Sequence, residues 1–140
     1  MSPMDVQGLS IGEVAEATGL SVHALRFFER EGLFLREIPR SAAGRRVFDE
    51  TDVDWIALLN RLRDSGMPIA TIREFAGLVA AGPGNEAERL KVLQRHEADV
   101  RAKIAELDAC LQVVHAKVVI YEARVNAGTA EGVWSPPRSG

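Results

Sequence analysis

Apolar residues in the first eighty positions recur at intervals of three and four, interrupted by glycines, and then settle into one long heptad pattern. Ile11, Val14 and Ala15, with Ala17 beyond Val14, give a first short helix one apolar stripe. Ser10 precedes it and Glu13 follows three residues later, a capping-box signature, and Thr18-Gly19 closes it. Ser21 caps a second helix in which Leu25 and Phe28 face inward, Val22, His23 and Arg26 lie nearer the other side, and Gly32 marks the end. A third helix is expected over 49–65, capped by Thr51, with Val53, Ile56, Leu59 and Leu62 as its buried stripe and Trp55 beside them. Gly66 stops it and Pro68 lies beyond, after which Ile69, Ile72, Phe75, Ala76 and Val79 predict a fourth helix. The run Ala80-Ala81-Gly82-Pro83-Gly84 breaks helix propensity and sets a boundary.

The clearest periodicity follows it. Leu90, Leu93, Glu97, Val100, Ile104, Leu107, Leu111, Val114, Val118, Tyr121 and Val125 alternate by three and four, with Glu97 alone interrupting the apolar run. Such a helix is roughly 60 Å long at ~1.5 Å per residue. A chain this small offers nothing to cover that seam, so the economical partner is a second copy in a symmetric dimer. The organisation expected is a DNA-binding half at 1–82, a dimerisation helix at 83–127 and a flexible tail at 128–140, where Trp134 is placed to dock on the dimer or close a small pocket.

Two short helices joined by a glycine-containing turn form the helix-turn-helix pattern, whose second helix enters the major groove of DNA. Residues 34–49 read as an irregular hairpin. Leu35 to Ile38 and Arg46 to Phe48 supply short strands, Pro39 and Ser41-Ala42-Ala43-Gly44 the turn, and Phe48 a core residue beneath it. The whole chain carries a net charge of −3, which argues against a nucleic-acid partner, but the charge is unevenly spread. Between Arg36 and Arg46 stand four arginines against the single acid Glu37, and Arg26 and Arg30 lie just upstream. An arginine-rich hairpin beside a recognition helix is what backbone anchoring requires.

Residues 9–78 resemble the DNA-binding domain of the MerR family of bacterial transcription regulators. The resemblance is carried by I-G-E-V-A at Ile11 to Ala15, T-G-L-S at Thr18 to Ser21, A-L-R-F-F-E-R-E-G-L at Ala24 to Leu33 and G-R-R-V-F at Gly44 to Phe48. It continues through D-V-D-W-I at Asp52 to Ile56 and L-R-D-S-G-M-P-I-A-T-I-R-E-F at Leu62 to Phe75. Phe27 and Phe28 stand where the family usually has two tyrosines, and Arg45 stands where it usually has a tyrosine between glycine and arginine. The resemblance implies a mostly α fold, a winged helix-turn-helix followed by a long coiled-coil helix that pairs antiparallel in a homodimer. It implies binding to double-stranded promoter DNA between two overspaced promoter elements, with bending and untwisting that let RNA polymerase engage both. Ser21, Val22, His23 and Arg26 are then the groove-facing candidates. Arg36, Arg40, Arg45 and Arg46 are the backbone contacts of the wing, and Arg61 and Arg63 a further phosphate contact. Leu90, Leu93, Val100, Ile104, Leu107, Leu111, Val114, Val118 and Tyr121 build the dimer.

No cofactor is called for. Metal-sensing relatives carry paired cysteines after the long helix, whereas residues 129–140 hold neither Cys nor His, and Cys110, His96 and His115 are a thin ligand set. Cys110 is the sole cysteine, which fits a reducing cytoplasm and leaves it as a packing residue or a thiol or electrophile sensor. No Gly-rich phosphate loop and no His pair at i, i+4 is present, so no catalytic residues are assigned and an enzyme is not expected. No apolar run spans a membrane and Met1 to Asp5 does not open a secretory signal. A small-molecule effector is compatible with the pattern and unidentified by it. The competing class is a helix-turn-helix module that binds protein and has lost DNA affinity.

Overall fold

The computed structural model describes residues 8–129 and 131. Five helices follow one another: α1 (Ile11–Thr18), α2 (Val22–Arg30), α3 (Glu50–Asp64), α4 (Ile69–Ala80) and α5 (Glu86–Ala127). Contacts divide the chain into two compact units, Met1–Glu97 and Ala98–Gly140.

The first unit begins with reciprocal capping. The Ser10 hydroxyl accepts from the Glu13 N–H at 3.1 Å, and the Glu13 carboxylate accepts from the Ser10 N–H at 2.9 Å. Gly19, at φ 74°, supplies the left-handed residue that ends α1. Ser21 then caps α2 by accepting from the Ala24 N–H at 3.0 Å. Val14, Leu25 and Phe28 are fully buried, whereas Ala17, one residue before the end of α1, is exposed and does not join the stripe expected of it.

The cap of α3 differs from expectation. Asp49, not Thr51, is the N-cap: its carboxylate accepts from the Asp52 N–H at 2.9 Å while Asp52 accepts from the Asp49 N–H at 2.9 Å. An Asp at N-cap with a second acid three residues on satisfies two orphan donors at once, and with the helix opening at Glu50, Thr51 already lies inside its first turn.

The wing is also shorter than its apolar pattern predicts. Residues 35–38 do not form a strand. Pairing is confined to two antiparallel bridges, Arg40 with Arg46 and Leu9 with Phe48. The reason lies in the side chains: Ile38 turns into the core beside Phe48 and Val14, and Arg36 is held by acids at the start of α3. Trp55 fixes the start of the loop, its indole N–H donating to the Leu33 carbonyl at 2.8 Å.

Two apolar clusters fill this unit. Val14, Leu25, Ile38, Phe48 and Ile56 join α1, α2, the wing and α3. The larger cluster sets Phe28 and Leu33 against Trp55, Leu59, Ile72 and Phe75, with Trp55 stacked on Phe75 at 5.8 Å between centroids. It also takes in Val92 of α5, which lies off the heptad seam. The Asn85 side chain donates to the Leu78 carbonyl at 2.8 Å, and Arg89 donates to Asn85 Oδ1 and the Gly82 carbonyl. Ser65 and His96 meet at 2.7 Å. The first turns of α5 are thus fastened to the helix-turn-helix half, and the compact unit extends past Gly82 to Glu97.

In the second unit α5 runs on to Ala127 and ends in a Schellman turn. Gly128 sits at φ 72° and the Thr129 N–H donates to the Arg124 carbonyl at 2.8 Å. Ile104, Leu107, Leu111, Val114, Val118 and Val125 stand exposed along the helix, Leu107 at 70%. Trp134 and nearly all of the expected tail lie outside the described residues.

Candidate nucleic-acid interface

The surface built around α2 follows from its caps and its two buried residues. Ser21 sets where the helix starts, and Leu25 and Phe28 fix which side faces the core. His23, Arg26 and Arg30 are left exposed at spacings of three and four, one continuous outward face. Val22 is half-buried at the first turn, and the Ser21 hydroxyl already accepts the Ala24 N–H.

The structure separates the arginines into two kinds. Arg36 donates from Nε to Asp52 at 3.0 Å and from Nη2 to both Asp52 (2.5 Å) and Asp49 (3.2 Å). Burial pushes the Asp52 carboxyl up, but the hydrogen bonds from Arg36 and from the Asp49 backbone outweigh it and hold Asp52 below its ordinary value; the Asp52 hydrogen bond raises Arg36 in turn. Arg46 donates from Nε to both Glu29 oxygens, at 2.8 and 3.1 Å, and its Nη2 lies 2.7 Å from Glu29. That contact ties the wing to α2, and the Glu29 hydrogen bond raises Arg46 above its ordinary value. Arg73 of α4 reaches back to the Glu31 carboxylate at 2.6 Å and its carbonyl at 3.1 Å.

Against these stand arginines without an ion pair among the described residues. Arg26, Arg30, Arg45 and Arg61 are exposed. Arg40 donates to the Gly44 carbonyl at 2.9 Å, which stiffens the wing turn and leaves its charge uncompensated. The Arg63 guanidinium lies over Phe27, 4.9 Å from the ring centroid. Arg30, on the same face as Arg26, belongs with these groups; its position one turn after Arg26 is the sequence signal for it. Glu29, which engages Arg46, has no comparable local signal, because the two are seventeen residues apart.

Other candidate chemistry is sparse. Cys110 is exposed. Among the described residues no group of three or more His, Cys, Asp or Glu side chains stands together as a metal site.

The chain matches the MerR HTH family regulatory proteins over residues 9–77 and the MerR DNA-binding description over residues 53–115. A Haemophilus influenzae protein described as an uncharacterised HTH-type transcriptional regulator is 32% identical over 124 residues, spanning 89% of this chain and 91% of the relative. The chain belongs to the MerR family. As a MerR-family transcriptional regulator it carries the DNA-binding helix-turn-helix, and the family is one of regulators, not enzymes. The mercuric resistance operon regulatory protein of Shigella flexneri is 31% identical over 121 residues, covering 86% of this chain and 81% of that protein. The crystal structure of HiNmlR, a MerR family regulator lacking the sensor domain, bound to promoter DNA, is similar with a TM-score of 0.80 and 30% identity, over 91% of this chain and 96% of that one. The lead(II) complex of PbrR691 from Ralstonia metallidurans is 28% identical at a TM-score of 0.56, over 78% of this chain and 84% of that one. Among the described residues no helix of this MerR-family chain is long and apolar enough to cross a membrane.

Proposed function

We propose that this MerR-family chain works as a homodimer on promoter DNA. In this reading the α2 face of His23 and Arg26 enters the major groove, with Val22 at its edge and Ser21 at the helix start. Arg40 and Arg45 of the wing, with Arg30, Arg61 and Arg63, hold backbone phosphates. Arg36 and Arg46 act one step back, by seating the wing on α3 and α2. The observation that carries this is the exposed basic face of α2 beside a wing whose turn also presents cations, none of them ion-paired among the described residues. Free guanidinium groups are what neutralise phosphates and release counterions.

The exposed α5 seam supports dimerisation: large apolar side chains at heptad spacing are rarely left in water. Two recognition helices related by a two-fold axis would read a pseudo-palindromic site. Bending and untwisting of an overlong promoter spacer, to the benefit of RNA polymerase, is the mode of action that fits such a dimer, since deformation energy can be repaid by added contacts.

Fluorescence anisotropy on the chain's own promoter duplex, across a salt series and beside an unrelated duplex, tests the reading. Selective binding whose logarithm falls linearly with log salt is expected. Absence of salt-dependent binding would overturn it in favour of a protein-interaction module. A Cys110→Ser variant is expected to bind as the unaltered chain does; a change in affinity would bring the thiol into the mechanism.

A further inference from the structure

Phe27 is an aromatic residue on a DNA-reading helix with no hydroxyl to offer DNA. It is only partly buried, and its ring lies 6.1 Å from that of Phe28, tilted by 53°. Above the pair sits the guanidinium of Arg63, from α3, at 4.9 Å from the Phe27 centroid and 5.7 Å from that of Phe28. Arg63 itself is exposed and has no ion pair among the described residues.

The manner of holding matters. Arg36 and Arg46 are fixed through their N–H edges by carboxylates, so the Nε and Nη2 donors of each are engaged and their charge is compensated. Arg63 is fixed through its flat face. A guanidinium is planar, with all five N–H donors around its perimeter, so stacking orders it and leaves that perimeter open. Phe27 follows Arg26 directly and precedes Arg30 by three residues, so the stack adds the α3 cation to the basic face of α2.

We propose that Phe27 is a positioning residue for a DNA backbone phosphate: its ring orders the Arg63 guanidinium so that two of its N–H groups meet one phosphate beside the recognition helix. This rests on the DNA-binding reading above. A phenylalanine thus serves DNA affinity without touching DNA, by removing from Arg63 the rotamer freedom that binding would otherwise have to freeze.

The test is a cycle of Phe27→Leu, Phe27→Tyr, Arg63→Ala and Phe27→Leu/Arg63→Ala, read by anisotropy on the promoter duplex over a salt series. Phe27→Leu is expected to weaken binding several-fold and to do nothing further once Arg63 is Ala; Phe27→Tyr, which keeps the ring, retains affinity. Arg63→Ala should lower the salt slope by about one. Independent, multiplying losses for the two sites, or an unchanged slope for Arg63→Ala, would overturn the proposal. If the unaltered chain binds and Phe27→Leu binds equally, this inference alone falls; if the unaltered chain shows no salt-dependent binding, the functional reading falls with it. A second readout needs no core variant. In the free protein the Arg63 Nε–H resonance, identified by its loss in Arg63→Ala, is expected to be shifted upfield by the ring; an unshifted resonance would overturn the stack.

Discussion

At the scale of single residues, the arginines of this chain divide by what they touch. Arg45 is exposed, its backbone N–H donates to the Ser41 hydroxyl at 3.3 Å, and its side chain has no ion pair among the described residues, which makes it the wing cation proposed for a phosphate. Arg45→Ala is expected to weaken binding to all duplexes alike and to flatten the salt slope by about one. Arg46→Ala should instead loosen the wing from α2 and lower stability, because it leaves the half-buried Glu29 carboxylate without its partner. Thermal melts beside the anisotropy series separate the two. Asp52 makes a pH prediction. Its folded value is below the ordinary 3.8, so the stability it contributes is fully present above that value and is lost as pH falls through the folded one. Asp52→Asn is expected to melt earlier at neutral pH, with the difference from the unaltered chain narrowing in melts taken below about pH 3.8. Little of this pairing was legible in the sequence. Arg36 and Asp52 are sixteen residues apart, and four arginines in a short loop look equivalent until the fold shows which two meet carboxylates.

At the scale of elements, most of the helix-turn-helix could be read directly, since its signals are local. Ser10 with Glu13, the stop at Gly19, the Ser21 cap and the burial of Leu25 and Phe28 all stand as their spacing predicts. Gly19 gives a clean test, because a Cβ there would meet nothing within 4 Å while the backbone holds φ at +74°. Gly19→Ala is therefore expected to cost about 1 kcal/mol in urea denaturation, purely from the left-handed conformation; no loss would mean that the turn rearranges. The wing is less legible. Residues 35–38 are expected as a short strand of an irregular hairpin, but Ile38 is drawn into the core and Arg36 toward α3, a tertiary demand that the local sequence does not reveal. Val92 carries no local signal for the same reason: it sits off the heptad seam, and only its place in the cluster with Leu59, Ile72 and Phe75 makes it a core residue.

At the scale of the whole molecule, the exposed seam of α5 carries the expectation of a dimer. Leu107→Asp/Leu111→Asp is expected to convert a dimer to a monomer in analytical ultracentrifugation and to weaken duplex binding at least tenfold, while the near-ultraviolet signal of Trp55 is unchanged. A variant that remains dimeric would remove these positions from the interface. The bridge that closes the first unit bears on how the protein can be handled. Leu9 and Phe48 exchange two main-chain hydrogen bonds, at 2.7 and 2.9 Å, and a Cβ on Gly8 would lie 2.1 Å from the Val47 side chain and 2.6 Å from the Phe48 carbonyl. A deletion or protease site that consumes Gly8 and Leu9 would therefore untie the wing from the body of the domain and disable a surface nearly forty residues further along the chain.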